Sequence, residues 1–346
     1  MTAFKNRQWI YTKRPEKLVD NSHYTLKETT IDTSQLKPGQ ALIKSEYFSI
    51  DPYMRIQQSG KDTWEEPHPL NTVQGGAVVG KIMAINDLHS TLEIGDWVLS
   101  YPGWQEYAIT EVNSLRKLDP SEVPVTTALG ILGMPARIAY FGFIEAGKPK
   151  KGETLVVSGA SGAVGLAVVQ IAKIKGCRVI GIAGSDEKTK YLKETLGVDD
   201  VINYKKHPSA SEMKNELLRV CPDGIDIYYD NVGGYITDAI FELINLNARI
   251  IICGQISQYS GGLDTPELGP RFLHKMLYKR ATIQGVLARD YNDRMDEMLE
   301  EMTPWVKDGL IHYKETIIPG FENLPDALQM LFFGKNMGKL IVKVNH

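Results

Sequence analysis

"TLVVSGASGAVGLAVVQIAKIKG", residues 154–176, opens on a β-branched apolar run, passes through a glycine-rich turn and continues in a helical pattern. Gly159, Gly162 and Gly165 form GxxGxxG, a variant of the usual GxGxxG spacing. Behind the turn, Val164, Val168, Ile171 and Ala172 give the chain one apolar face at helical spacing. In a strand-turn-helix setting, Gly162 lets the backbone approach a pyrophosphate and Gly165 lets helix and strand pack closely. Ala163 and Val164 then begin a helix whose free N–H groups and positive dipole end favour an anion. A tight turn without a ligand is the plainer alternative, and the flanking strand and amphipathic helix favour the binding reading.

Outward from this turn, the apolar strands TLVVSG, RVIGIAG, DVINY, GIDIYYDNV, ARIIICG and TIQGVL follow one another with room for one helix between each pair. That rhythm predicts an α/β fold with a doubly wound parallel sheet over residues 126–311. Residues 1–125 read differently. Short alternating segments at 40–49, 77–84, 96–101 and 105–110, broken by turns such as Lys37-Pro38-Gly39, predict a small, mostly antiparallel β domain. The tail, 312–346, carries a strand, a short helix around 324–331 and a last strand, LIVKV, and is expected to complete the first domain. Met295, Met298, Met302 and Trp305 recur at helical spacing and read as a core-facing stripe.

The whole chain, 346 residues, agrees with two domains at roughly 150 residues each. Apolar residues make up 43%, charged residues 23%, and the formal net charge is −3. Such a balance offers no basic field for nucleic acid or anionic lipid, so small discrete ligands are the expectation. Three cysteines, Cys177, Cys221 and Cys253, lie far apart and give no disulfide framework. The first residues lack an apolar signal core, and no run approaches the roughly 18 apolar residues of a membrane span. A cytoplasmic protein is expected.

The second strand leads into "GIAGSDEK", residues 181–188. A site reading NAD places an acid about 20 residues beyond the glycine turn, to grip the ribose 2′-hydroxyl. Gly184 and Ser185 stand there instead, leaving room for a 2′-phosphate and offering it a hydroxyl, while Lys188 supplies charge one turn later. In a 3-2-1 strand order Tyr204 reaches the same place. Asp186 and Glu187 read as first-turn residues that favour the helix dipole. The exit is expected to hold NADPH, with a role for Asp186 and Glu187 in reading NAD as the alternative.

A catalytic zinc needs about three Cys, His or acidic ligands. The seven histidines are scattered, and where a zinc enzyme of this layout carries Gly-His-Glu the chain reads Gln74-Gly75-Gly76-Ala77. No metal site is expected. A nicotinamide can still deliver hydride to a carbon conjugated with a carbonyl, and the enolate oxygen then needs a hydrogen-bond donor such as tyrosine, of which there are sixteen.

Taken together, "SIDPYMR" (49–55), "SGASGAVG" (158–165), "AGSDEK" (183–188), "YDNVGG" (229–234), "ICGQISQY" (252–259) and "GKNMGK" (334–339) resemble the zinc-independent medium-chain dehydrogenases/reductases, in the branch of leukotriene/prostaglandin, 2-alkenal and curcumin-type reductases. The resemblance covers nearly the whole chain. It implies a GroES-like catalytic domain joined to a Rossmann domain, a homodimer, and NADPH-dependent reduction of the C=C bond of α,β-unsaturated aldehydes and ketones. It also implies that Gly162 to Gly165 hold the pyrophosphate, that Lys188 and Tyr204 hold the 2′-phosphate, and that further cofactor contacts come from several other positions. These are Asn231, Cys253, Gly254, Ile256, Ser257, Tyr259, Val286, Leu287, Ala288 and Asn336. Tyr259 is implied as the donor toward the substrate carbonyl and Tyr53 as a substrate-side tyrosine. Their plainer roles are to shape the cofactor loop and to pack beneath the cleft. A quinone reductase of the same superfamily, and an NADPH-binding protein without turnover, are the alternatives. Two departures bear on the pocket: Ile138 replaces a threonine, and Val286 stands where the family tends to place an aromatic residue.

Overall fold

The structure, a computed structural model, describes residues 3–61, 63–64, 66–261 and 267–345. The chain divides into two compact units, residues 130–314 and residues 1–129 with 315–346. The sequence reading places these divisions at 125/126 and 311/312, and packing accounts for the displacement. Ala128 and Leu129 pack with Val79, Leu99 and Ile341 of the first domain, while His312 exchanges two hydrogen bonds with Gln170 of the second, at 2.7 and 2.8 Å.

In the 130–314 unit, β1 (Thr154–Val157), β2 (Arg178–Ala183), β3 (Asp200–Asn203), β4 (Ile225–Asp230), β5 (Ile244–Ile252) and β6 (Thr282–Gly285) form one sheet in the order β3-β2-β1-β4-β5-β6. Every pairing is parallel. Parallel strands need crossovers. After α1 (Met134–Phe141), these are supplied in turn by α2 (Ala163–Ile174), α3 (Asp186–Lys190), α4 (Ala210–Val220), α5 (Tyr235–Phe241) and α6 (Leu273–Lys279), and α7 (Met295–Lys307) follows. Val156, Ile180, Ile182, Ile202, Ile225 and Ile250 of the sheet meet Met213, Leu217, Ile236 and Ile240 of the helices in a single core. The methionine stripe falls on α7, where Met298 and Met302 are fully buried. This is a Rossmann fold, and the order reverses between β1 and β4, where such sheets open a crevice for ligand.

The other unit is mostly β. Strands Gln40–Ile50, Val78–Asn86, Trp97–Ser100, Tyr107–Glu111 and Arg116–Leu118 pair antiparallel, and the tail adds Lys339–Lys343 and Glu315–Pro319 to the same sheet. Strands Ala3–Tyr11 and Tyr24–Asp32, antiparallel from Ala3↔Asp32 to Tyr11↔Tyr24, have no counterpart in the sequence reading. The second of them is exposed over most of its length, so its residues carry no apolar alternation.

One buried ion pair ties the tail to this unit. Lys339 Nζ donates to the Ile50 carbonyl at 2.8 Å and to Asp51 Oδ1 at 2.5 Å, with side-chain exposures of 3% and 5%. Ser49 Oγ donates to the other Asp51 oxygen. Removing one partner of such a pair leaves an uncompensated buried charge and costs about 3–5 kcal/mol, whereas replacing both by apolar groups is often near neutral. Asp51→Ala is therefore expected to lower unfolding free energy by about that amount in urea. Combining it with Lys339→Met should restore most of the loss, and an additive loss in the double variant would contradict this account.

Candidate functional site

The C-terminal ends of the six parallel strands hold all but two of the implied site residues. After β1 the chain turns at Gly159, whose φ of +60° lies in the left-handed region that glycine tolerates. Gly162 then begins α2 with no side chain capping it. A Cβ at Gly165 would lie 2.3 Å from the Gly159 carbonyl oxygen and 2.6 Å from Ala160 Cα, so only glycine allows this turn and helix to meet. The leading N–H groups of α2, at Ala163, Val164 and Gly165, have no intrahelical carbonyl to bond, and such a helix end favours an anion.

At the end of β2, Gly184 lies against the Tyr204 ring: a Cβ there would be 2.8 Å from Tyr204 Cε1. The missing side chain thus makes room for the tyrosine. Ser185 caps α3, its Oγ accepting from the Lys188 N–H at 3.3 Å. The half-buried Lys188 ammonium is pushed below the ordinary lysine range, first by burial and then by the neighbouring Lys205. A cation that is partly desolvated and repelled by another cation favours an anionic partner. Asp186 is turned aside, bonded to Lys206 Nζ at 2.7 Å and to Asn203 Nδ2 at 2.8 Å. Together these residues fit a phosphate on the ribose.

Beyond β4, Asn231 is fixed to β1. Its N–H donates to Ser158 Oγ at 2.9 Å and its Nδ2 to the Ser158 carbonyl at 2.8 Å. The segment after β5 is stitched to the same turn, with Cys253 N and Gly254 N donating to the Asp230 carbonyl, Ile256 N to that of Asn231, and Ser257 N to that of Val232. Tyr259 closes this segment. Its ring is 8% exposed and its hydroxyl accepts the Gln255 N–H at 3.0 Å. Burial pushes the phenol up to about 12. Among the described residues its own proton has no acceptor, so it is a donor held in place by an N–H from behind. Cys253 is likewise pushed up to about 12 by burial, the signature of a neutral thiol rather than a nucleophile.

After β6, Val286 is buried and Leu287 leads, in extended conformation, into the turn that begins at Ala288. A Cβ at Gly142 would lie 2.9 Å from Tyr229 Oη and 3.4 Å from Val286 Cγ2, so Val286 packs in the interior beside the α1 end. Ile138 is buried too, and its carbonyl accepts the Tyr229 hydroxyl at 2.8 Å. Tyr53 and Asn336 belong to the other unit. Tyr53 opens the short helix Tyr53–Gln57 and packs against that unit's core, and Asn336 Nδ2 donates to the Gly338 carbonyl at 2.9 Å. There the Gly75-Gly76-Ala77 stretch presents no ligating side chain, and a Cβ at Gly76 would meet Met54 Cε at 3.0 Å and Trp104 Nε1 at 3.3 Å. Among the described residues no group of three or more His, Cys, Asp or Glu side chains is arranged to hold a metal, and no helix is long and apolar enough to cross a membrane.

Sequence reasoning passed over Asp230, Ser158 and Lys205. An acid closing the apolar run "GIDIYYD" just ahead of a turn was the available signal for the first.

The N-terminal domain of oxidoreductase matches residues 7–118, and a domain described as zinc-binding dehydrogenase matches 163–304. The NADPH-dependent curcumin reductase of Escherichia coli is 40% identical over 343 residues, covering 98% of this chain and 97% of its own. The NADP(+)-dependent 2-alkenal reductase of Nicotiana tabacum is 41% identical over 313 residues, covering 89% and 88%. CurA from Vibrio vulnificus, solved in complex with NADPH, superposes with a TM-score of 0.89 at 41% identity over 98% of this chain and 99% of its own. The shared strand order, the glycine turn and this likeness along the full length agree: the chain belongs to the medium-chain dehydrogenase/reductase family, in the branch of curcumin, 2-alkenal and prostaglandin reductases.

Proposed function

We propose that this protein reduces the C=C bond of α,β-unsaturated aldehydes and ketones without zinc. It is an NADP-dependent oxidoreductase, and its cofactor is NADP(H). The observation that carries the reading is the buried Tyr259 hydroxyl, which accepts the Gln255 N–H and keeps its own proton for another acceptor. When bound, NADPH supplies a hydride for the β-carbon of the substrate. The negative charge that reduction would place on the substrate carbonyl oxygen would be met by the Tyr259 hydroxyl as hydrogen-bond donor, and the α-carbon would take its proton from water. Because its pKa is raised, the phenol stays protonated throughout the neutral range and acts as a donor, not as a base. The α2 N-terminus holds the pyrophosphate, while Lys188 and Tyr204 hold the 2′-phosphate. Asn231, Cys253, Gly254, Ile256, Ser257, Val286, Leu287, Ala288 and Asn336 complete the cofactor contacts, and Tyr53 serves on the substrate side.

We also propose a homodimer. The sheet ends at β6, all four residues of which are exposed, and Leu273, Leu277 and Tyr278 of neighbouring α6 are exposed as well. An uncovered, uncharged edge strand beside apolar side chains is a template for a second copy. Light scattering should give twice the mass of one chain, and a monomer at micromolar concentration would contradict this.

With a medium-chain 2-alkenal, an aryl enone and a simple quinone offered side by side, NADPH consumption and saturated carbonyl products are expected from the first two. Quinone-only turnover would reject the proposal, as would NADPH binding without oxidation. Lys188→Ala is expected to raise the KM for NADPH about tenfold or more, the size of a lost hydrogen bond to a charged group, with NADH unaffected. Equal use of NADH and NADPH by the unaltered enzyme would rule out the 2′-phosphate reading.

Tyr259→Phe should lower kcat about 10²-fold, as loss of one oxyanion donor does, while weakening NADPH binding far less. Tyr53→Phe should act in the same direction. The Tyr259 phenol should cause no fall in kcat below about pH 11, since its pKa is about 12. Unchanged kinetics in both variants would remove tyrosine from the mechanism.

A further inference from the structure

We propose that Asp230 is the positioning residue for the Asn231–Tyr259 side of the cofactor site, which would face the nicotinamide, and that the 2′-phosphate side is held independently of its carboxylate; this rests on the cofactor reading above. Asp230 is 0% exposed. Its Oδ1 accepts from Ser158 Oγ, the Tyr228 hydroxyl, Val232 N and Gly233 N, each at 2.9 Å, and its Oδ2 accepts from Thr237 Oγ1 at 2.7 Å. Its backbone carbonyl accepts from Cys253 N at 2.9 Å and Gly254 N at 3.0 Å. One residue thereby fixes the ends of β1, β4 and β5 relative to one another.

What those bonds hold is the machinery itself. Ser158 Oγ passes the anchorage on by accepting the Asn231 N–H, and the Asn231 and Val232 carbonyls receive Ile256 N and Ser257 N. The last turn of that segment sets the Gln255 N–H against the Tyr259 hydroxyl. Residues of the 2′-phosphate half are anchored elsewhere: Ser185 caps its own helix and Tyr204 packs on Gly184. The halves meet through a bond at 3.3 Å, from the Tyr235 hydroxyl to the Tyr204 carbonyl, and through the apolar core that Tyr204 shares with Tyr228, neither contact being made by the Asp230 carboxylate.

A buried carboxylate accepting this many donors makes charge-assisted bonds, and its removal leaves each donor unsatisfied. Asp230→Ala removes both carboxylate acceptors and leaves the backbone carbonyl that receives Cys253 N and Gly254 N. Asp230→Asn keeps Oδ1 and lets Nδ2 face Thr237, whose hydroxyl can turn to accept. The second variant keeps the shape and loses the charge.

The test measures dissociation constants of NADPH and of 2′,5′-ADP by calorimetry for the unaltered protein and both variants, alongside their melting curves. Asp230→Asn should weaken NADPH about tenfold and Asp230→Ala further, while 2′,5′-ADP stays within about twofold in each. Should Asp230→Ala not fold, Asp230→Asn alone decides. Parallel loss of both ligands would make Asp230 a general support of the fold, and no loss of either would make it idle; both overturn the proposal. If the unaltered protein binds neither ligand, the cofactor reading itself falls, and this inference with it.

Discussion

The distance that governs this molecule is the 2.3 Å that would separate a Cβ at Gly165 from the Gly159 carbonyl oxygen. No side chain survives that approach, so the turn after β1 and the first turn of α2 fit only because glycine stands there. From this contact follows the direction of α2, with its uncapped N–H groups gathered at the strand ends. The C-terminal ends of β2 to β6 lie on the same side of a parallel sheet, and their loops converge on that helix end.

Electrostatics then divides the site. At β2 and β3, burial and the neighbouring Lys205 disfavour the charged Lys188 while Glu187 favours it, a balance that an added anion would shift further toward the charged form. At β4 and β5 the polar groups are neutral or fully bonded. Asn231, Cys253, Gly254 and Tyr259 are organised by hydrogen bonds that lead back to one buried residue, Asp230, through its carboxylate and its backbone carbonyl. On the proposed reading the charged end anchors and the neutral end carries chemistry, an arrangement that would suit hydride transfer, in which the substrate oxygen gains negative charge as the nicotinamide ring gains positive charge.

The Rossmann unit was legible because its core strands are continuous β-branched runs and its turn needs glycine at fixed places. The strand order and the position of Tyr204 beside Gly184 followed from topology. Tyr24–Asp32 escaped notice because both of its faces are largely exposed, leaving nothing for periodicity to register. The unit limits shifted by a few residues because Ala128, Leu129 and His312 join their neighbours through packing and hydrogen bonds that local sequence does not encode. Asp230 was invisible for the same reason: its partners, from Ser158 to Gly254, are spread over almost a hundred positions. Tyr259 was legible as a motif residue, but the N–H that holds its hydroxyl was not.

The central claim is that hydride from the cofactor reaches the β-carbon of a conjugated carbonyl. Turnover of a medium-chain 2-alkenal with NADPH dideuterated at the nicotinamide C4, followed by NMR of the product, tests it directly. The account predicts a saturated aldehyde carrying one deuterium at the β-carbon, with the α-proton drawn from water. Deuterium on the carbonyl carbon of an allylic alcohol would contradict it, placing the hydride at the wrong end of the conjugated system.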